Sequence, residues 1–385
     1  MEKEKENKME ALYVGFNQDS KCFSVGTKVG FRIYNTDPFK LNFERSNSKI
    51  LFIIIIIIVL DGEISMVIML YRTNILALLG SESNPIYNKN KVIIWDDYQK
   101  KSLSELKFSQ NILNLKLRKD KIVVICLDKI YVFSLSSFES IDIIETGENT
   151  HGVIGINYNM ENTIIAYPDK KKGKIKIKNY EKTTNILVDA HEKLIGNIVL
   201  TTNGDLMASA TEMGTIIRIF ETENGTLIQE VRRGKEKAQI RCICFEQNNN
   251  FIAASSSRGT VHIWSLSTAL KNLKKKIGDL EDEKEKEKDN KNEFDESQEN
   301  GEVKKVKNKK RIFNVLPNIL GGELFNSEWS FAQVRIKEQR TICTFGKDNT
   351  IIIVCSNGKY YKAKIPLEKG GECQIIQEEN IFEKS

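Results

Sequence analysis

The sequence predicts an all-β protein, a seven-bladed β-propeller with a long disordered loop in its sixth blade. Three observations support this fold. Strand-like runs recur along the chain with turn residues between them, while helical periodicity is almost absent. The runs fall into consecutive groups of four at the spacing of propeller blades. Third strands repeatedly end in an apolar-x-apolar-aromatic pattern: Phe31-Arg-Ile-Tyr34, Val92-Ile-Ile-Trp95, Ile130-Tyr-Val-Phe133, Ile217-Arg-Ile-Phe220 and Val261-His-Ile-Trp264. The Trp-Asp dipeptide occurs once, at Trp95-Asp96, so the WD-like repeat is degenerate.

Taken in order, the first blade is expected from Ala11 to Phe16, Cys22 to Val25, Gly30 to Tyr34 and Phe39 to Phe43. The second runs Ser65 to Tyr71, Ile75 to Leu79, Lys91 to Trp95 and Ser102 to Phe108. The third has Ile112 to Leu117, Lys121 to Leu127, Lys129 to Leu135 and Ser140 to Glu145, and the fourth Gly152 to Tyr158, Thr163 to Tyr167, Lys174 to Tyr180 and Thr184 to Val188. The fifth is Gly196 to Thr201, Asp205 to Ala210, Thr215 to Phe220 and Thr226 to Arg232. The sixth is Ile240 to Phe245, Phe251 to Ser255 and Val261 to Leu266, then an interruption before Ser330 to Ile336. The seventh is Thr341 to Phe345, Thr350 to Cys355, Lys359 to Ile365 and Glu372 to Gln377.

Residues 1–9 form a charged tail without the apolar stretch of a secretory signal, and the propeller spans 10–385. The insert covers 271–328. From Lys271 to Arg311, lysine-rich ends enclose an acidic centre with hardly an apolar residue, too little to offset the entropy of ordering, so disorder is expected there. From Ile312 to Phe325 the insert turns apolar, immediately after the basic run Lys304 to Arg311. Such a pairing suits an anionic bilayer surface, each cation adding about 1 kcal/mol, with Ile312, Phe313, Val315, Leu316, Ile319, Leu320, Leu324 and Phe325 as the inserting side chains. A solvated linker leading into a strand is the alternative. The run Ile50 to Leu60 is shorter than the roughly 18 residues of a membrane span and is closed by Asp61 and Glu63, so it is read as a strand or an inserted oddity.

Composition narrows the chemistry. With 58 Lys and Arg against 52 Asp and Glu in 385 residues, the net charge of +6 is mildly basic and fits an acidic partner surface. Seven scattered cysteines without a C-x-x-C spacing point to a reducing compartment and no metal set. Three histidines and no nucleophile–base pair or phosphate loop leave little for an enzyme, and no cofactor is expected. Nucleic acid is disfavoured because the basic residues lack interleaved aromatics.

The dipeptide Arg232-Arg233, followed by Gly234, closes a strand-like run. Successive strand residues point to opposite faces, so the two guanidiniums are arranged for two separate pockets rather than one. Guanidinium matches phosphate oxygens bidentately. A solvated pair of edge-strand cations remains the alternative on this dipeptide alone. Ser209 and Thr211 lie two apart on a strand, hence on one face, as do Thr260 and His262.

Further blocks carry a likeness. Tyr13 to Asp19, Gly30 to Pro38, Met69 to Leu78, Asn90 to Asp97, Ala208 to Phe220, Val231-Arg-Arg-Gly234, Gly259 to Trp264 and Trp329 to Phe331 together resemble the PROPPIN family, the polyphosphoinositide-binding propellers that include the WIPI proteins, and among them the third and fourth paralogues. Val231 replaces the Phe or Leu that opens the family's Arg-Arg-Gly signature. The resemblance implies two inositol phosphate sites, Ser209, Thr211, Gly214, Thr215, Arg218 and Arg232 in the first, and Arg233, Gly234, Ser256, Thr260 and His262 in the second. His151 and His191 are read as structural.

The resemblance further implies a cytoplasmic, monomeric protein peripherally bound to autophagosome-precursor and endolysosomal membranes. It would bind phosphatidylinositol 3-phosphate and 3,5-bisphosphate and recruit autophagy machinery, with a lipid-transfer or scaffold protein docked near Ile86 to Asn90 and Asn17 to Asp19. A WD-repeat scaffold that binds only proteins is the competing reading.

Overall fold

The computed structural model describes residues 11–46, 63–82, 88–266, 327–338 and 340–383. Among them, thirty strands form seven sheets and no helix is present. The first sheet is β1 (Tyr13–Phe16), β2 (Cys22–Thr27), β3 (Gly30–Asn35) and β4 (Lys40–Ser46); the second is β5 (Ile64–Met69), β6 (Ile75–Gly80), β7 (Lys91–Asp96) and β8 (Lys101–Lys107). The third holds β9 (Asn114–Leu117), β10 (Lys121–Ile125), β11 (Lys129–Ser134) and β12 (Ser140–Glu145), and the fourth β13 (Gly155–Ile156), β14 (Ile164–Pro168), β15 (Lys174–Asn179) and β16 (Thr184–Asp189).

The fifth sheet is β17 (Ile195–Leu200), β18 (Leu206–Thr211), β19 (Ile216–Glu221) and β20 (Leu227–Arg232). The sixth begins with β21 (Ile240–Phe245), β22 (Phe251–Ser256) and β23 (Thr260–Ser265); after β24 (Glu328–Trp329) it is completed by β25 (Ala332–Arg335). The seventh is β26 (Thr341–Gly346), β27 (Thr350–Cys355), β28 (Lys359–Lys364) and, after β29 (Gly371–Glu372), β30 (Gln374–Asn380).

All seven expected groups of four are present as sheets. Alternation explains why. In β15 the sequence Lys-Ile-Lys-Ile-Lys-Asn buries Ile175 and Ile177 while its lysines stay half-exposed. Several strands are shorter than expected, most of all the first of blade 4: the run from Gly152 to Tyr158 yields only Gly155–Ile156. Its flanks are taken by other bonds, since Asn149 clasps both the N–H and the carbonyl of Val153, and the N–H groups of Tyr158 and Asn159 both go to the Thr202 carbonyl. Two short strands were not expected. β24 lies parallel to the outer edge of β20 and β29 parallel to β25. Ser327 and Glu328, the last described residues of the expected insert, thus abut blade 5 rather than blade 6.

The core is a ring of seven apolar clusters, each filled from two neighbouring blades. Phe31, Ile33, Leu76 and Trp95 join blades 1 and 2, and Leu79, Ile94, Leu115 and Val124 join 2 and 3. Val132 and Ile165 join 3 and 4, and Ile177, Met207 and Phe220 join 4 and 5. Ile217, Val231, Ile252 and Trp264 join 5 and 6, and Ile263 and Ile353 join 6 and 7. The aromatic that ends the third strands explains the pattern: Trp95 and Trp264 are wholly buried between blades, each contributing on the order of 2–3 kcal/mol. The ring closes without a shared sheet. Phe23, Tyr34, Val354 and Tyr360 pack blade 1 on blade 7, and Tyr360 Oη donates to the Thr36 carbonyl at 2.9 Å.

The charged tail, the Ile50 to Leu60 run, the charged insert and the eight apolar residues from Ile312 to Phe325 lie outside the described residues. No helix among the described residues is long and apolar enough to cross a membrane.

Candidate functional site

Blade 5 is where the polar residues singled out in the sequence converge. Its register sets Ser209 beside Arg218, Arg218 beside Glu230, and Ile216 beside Arg232. Ala208, Ala210, Ile217, Ile219 and Val231 pack towards blade 6, whereas Met207 and Phe220 pack towards blade 4. Alternation therefore sends Ser209, Arg218, Glu230 and Arg232 to the blade 4 side, and Arg233, continuing past Val231, to the blade 6 side.

Both arginines are buried, each with 6% of its surface exposed. Arg232 donates from Nε to Ser327 Oγ at 2.8 Å. Arg233 donates from Nε to the Gly214 carbonyl at 2.8 Å and from Nη2 to the Glu236 carbonyl. Among the described residues no carboxylate lies within 4.0 Å of either guanidinium. Burial, then the like charge of Arg258, lowers the Arg233 pKa. The Glu236 carboxylate opposes that shift, yet among the described residues both guanidiniums bond only neutral groups, an arrangement that is costly and primed to receive an anion.

On the blade 4 side, Ser209 Oγ lies 3.0 Å from His191 Nε2, and both residues are buried. Burial first and the nearby Arg218 second push His191 down to about 4, so it is neutral at physiological pH. Arg218 is already engaged: Nε meets Glu230 at 2.9 Å and Nη1 donates to the Ala190 carbonyl at 2.8 Å. Thr211 ends β18 and Thr215 directly precedes β19, both half-buried, and Gly214 turns between them with φ of +59°. A Cβ at Gly214 would strike the Ala238 carbonyl, so this glycine is required by the fold itself.

On the blade 6 side, His262 stacks on Trp264 at 5.6 Å, and its Nδ1 lies 3.1 Å from Ser330 Oγ. Burial, then Arg233 and Arg335, push His262 down to about 4. Ser256 is buried opposite Thr260, with its Oγ directed to the Thr260 carbonyl at 3.4 Å. Gly234 differs from Gly214: a Cβ there would meet nothing within 4 Å.

The PROPPIN family model matches residues 11–276. The chain belongs to the PROPPIN family. It is 28% identical over 382 residues to the Autophagy-related protein 18e of Arabidopsis thaliana, covering 98% of this chain and 90% of that one. It is 33% identical over 264 residues to the SVP1-like protein 2 of Pichia angusta, covering 67% and 70%. Two solved structures share the fold: Kluyveromyces lactis Hsv2, with TM-score 0.70, 21% identity and coverage of 97% and 99%, and a complex of KlAtg21 with the coiled coil of AgAtg16, with TM-score 0.70, 23% identity and the same coverage. Phosphoinositide binding is typical of PROPPINs, and the propeller is a non-catalytic binding fold.

In this PROPPIN Ser209, Arg218 and Arg232 share the blade 4 side of blade 5, and Ser256, Thr260 and His262 face blade 5 from blade 6, but Gly214, expected with the first group, gives its carbonyl to Arg233 instead; four further residues join them that the sequence did not offer. His191, read as structural, is the direct partner of Ser209. Ser327 touches Arg232, Glu230 holds Arg218, and Arg335 lies near His262. His191 reaches Ser209 across a blade boundary and Ser327 reaches Arg232 at the outer edge of β20, whereas Glu230 and Arg335 stand on strands next to those of Arg218 and His262 within one blade. Of the expected docking turn, Asn17 donates to the Tyr71 carbonyl, and Gln18 donates to the Met69 and Leu117 carbonyls at 2.7 and 2.9 Å. Their side chains therefore tie blades 1, 2 and 3 together and leave only Asp19 exposed. Ile86 and Tyr87 lie outside the described residues.

Proposed function

We propose that this PROPPIN is a peripheral membrane effector that binds phosphatidylinositol 3-phosphate and phosphatidylinositol 3,5-bisphosphate at two sites, one on either side of Arg232-Arg233-Gly234, and recruits autophagy machinery to the membrane. One observation supports the reading: two adjacent, buried guanidiniums point to opposite sides of blade 5, and among the described residues neither bonds a carboxylate. A scaffold that binds only proteins leaves that arrangement without a purpose.

In the first site a phosphate takes Arg232, the hydroxyls of Ser209, Thr211 and Thr215, and the turn at Gly214. His191 supplies a further donor, and Arg218, committed to Glu230 and Ala190, positions that histidine. In the second, Arg233 acts with Ser256, Thr260 and His262, and Gly234 lets the head group near the backbone. A dianion favours the protonated imidazole, so each histidine takes up a proton as the phosphate arrives. With one head group held, the second site works at an effective concentration near millimolar, raising avidity roughly a hundredfold over either site alone. The apolar part of the insert, Ile312 to Phe325, adds membrane insertion. The working unit is a monomer at autophagosome-precursor and endolysosomal membranes, with a lipid-transfer or scaffold protein on another edge.

Flotation with liposomes carrying either lipid tests this. Arg232→Thr with Arg233→Thr abolishes binding, and each single change weakens it. Undiminished flotation of the double variant refutes the site assignment.

A further inference from the structure

We infer that the loops beside the two arginine clefts form a further membrane contact, in which Leu194 and Met213 are an apolar tip set among exposed lysines and rest on an anionic bilayer surface. Four connections at the same end of blades 4 and 5 build one continuous shelf. The Gly173 carbonyl accepts the His191 N–H at 2.8 Å, the Leu194 carbonyl accepts Glu212 N–H at 3.1 Å, and the Met213 carbonyl accepts Ala238 N–H at 3.1 Å. These bonds link the turn after β14, the loop after β16, the β18–β19 turn and the loop that follows Arg233. The shelf is therefore rigidly joined to Ser209 and His191 on one side and to Arg233 on the other.

Leu194 is 48% exposed and Met213 39% exposed, on neighbouring loop tips. Other exposed apolar residues, such as Ile143 and Leu187, stand on outer strands, where single exposures are ordinary. A pair on adjacent tips with exposed lysines around it is not. Lys171, Lys172, Lys193, Lys235 and Lys237 are all exposed, and none is in an ion pair among the described residues. Of the acids of the same loops, Asp169 is paired with Lys176 and Glu236 with Arg258, while Glu212 shares a hydrogen bond with the His151 ring, leaving Glu192 and Glu212 to oppose the five lysines. Apolar tips among exposed lysines fit lipid head groups over acyl chains, each lysine drawn to the anionic surface.

This contact rests on the phosphoinositide reading only in that the clefts and the shelf meet the same bilayer, and the test separates the two. Soluble inositol 1,3-bisphosphate, measured by calorimetry, reports the clefts. Vesicles of phosphatidylcholine and phosphatidylserine, with and without phosphatidylinositol 3-phosphate, report the shelf. Leu194→Ser with Met213→Ser keeps head-group affinity and weakens binding to the complete vesicles about tenfold. Unchanged vesicle affinity overturns the inference. A second variant, Leu194→Trp, guards against a misfolded double mutant: its fluorescence is quenched by brominated acyl chains on bound vesicles, and persistent unquenched emission overturns the inference. Wild-type protein that ignores the soluble head group defeats the cleft assignment instead, and Leu194→Trp quenching on phosphatidylserine vesicles then sustains the shelf by itself.

Discussion

Arg118 and the pair Arg232-Arg233 are all buried, yet they sit in opposite chemical settings. Arg118, with 1% of its surface exposed, bridges blades 3 and 4. Its Nε meets Asp120 at 2.8 Å, and its Nη1 donates to the Asn157 carbonyl, Asn157 Oδ1 and the Asn162 carbonyl at 2.9–3.0 Å. Only Nη2 is left without a partner. The blade 5 pair has comparable burial but meets one hydroxyl and two carbonyls. Burial of a cation does not distinguish structure from binding; the identity of the groups facing it does. Arg118 is neutralised by Asp120, whereas among the described residues Arg232 and Arg233 bond no carboxylate.

The largest effect tests that contrast directly. Arg118→Ala strips a donor from three acceptors and leaves Asp120 to Lys121 alone, so unfolding free energy in denaturant falls by about 3–5 kcal/mol. Vesicle binding per folded molecule is unchanged. The Arg232→Thr, Arg233→Thr protein does the reverse: its stability stays within about 1 kcal/mol of wild type, because uncompensated buried charge is removed, while lipid binding is lost. Equal destabilisation of the two proteins would erase the distinction.

The histidines sharpen it further. His191 and His262 are both pushed from 6.5 to about 4 in the folded protein. A depressed folded pKa means the unfolded chain binds more protons below pH 6.5, so this stability is present above that pH and is lost as pH falls towards 4. The lipid-free protein loses on the order of 1–3 kcal/mol per histidine over that window, read by thermal melts. His191→Gln flattens the profile. Saturating soluble head group restores stability at pH 5, because the bound anion favours the protonated rings. A profile unmoved by His191→Gln would place that histidine outside the linkage.

Most of the architecture was legible because it is written in short-range pattern. Alternation in Lys174–Asn179, and the aromatic that ends β3, β7 and β23, mark strands whose burial follows from period two. What escaped notice has no such period. β24 and β29 are two residues long and pair in parallel with distant strands, and β13 is cut short by an Asn149 side chain. For the site, Arg232, Arg233 and the hydroxyls were visible as residue types at strand spacing. Ser209 with His191 and Arg232 with Ser327 became visible only when the blades were set side by side, 18 and 95 positions apart in the chain.

A smaller effect follows from a repeat that spacing alone did not expose. Arg32 in β3 pairs with Glu44 in β4 at 3.1 Å and donates to the Ile381 carbonyl of the preceding blade at 3.1 Å. Arg218 in β19 pairs with Glu230 in β20 and donates to Ala190 of its preceding blade. The two are the same inter-blade latch. Both pairs are partly exposed, so Arg32→Ala and Arg218→Ala each cost about 1 kcal/mol of stability. Arg218→Ala reduces flotation only modestly, through His191. A loss as deep as that of Arg232→Thr would make Arg218 a direct phosphate ligand and break the parallel with Arg32.

The smallest effect isolates the ligand from the fold. Gly214 and Gly234 flank the same arginine, but only Gly214 has a positive φ and a carbonyl where a Cβ would go. Gly214→Ala is therefore destabilising, whereas Gly234→Ala is neutral or raises stability by roughly 0.5 kcal/mol, because alanine restricts the unfolded chain and meets no atom in the folded one. If a head group approaches the backbone at Gly234, the added methyl group still weakens binding to phosphatidylinositol 3-phosphate vesicles a few-fold while the melting temperature holds. Binding as tight as wild type would move the second head group away from Gly234 and leave Arg233 to reach it through His262 and Thr260.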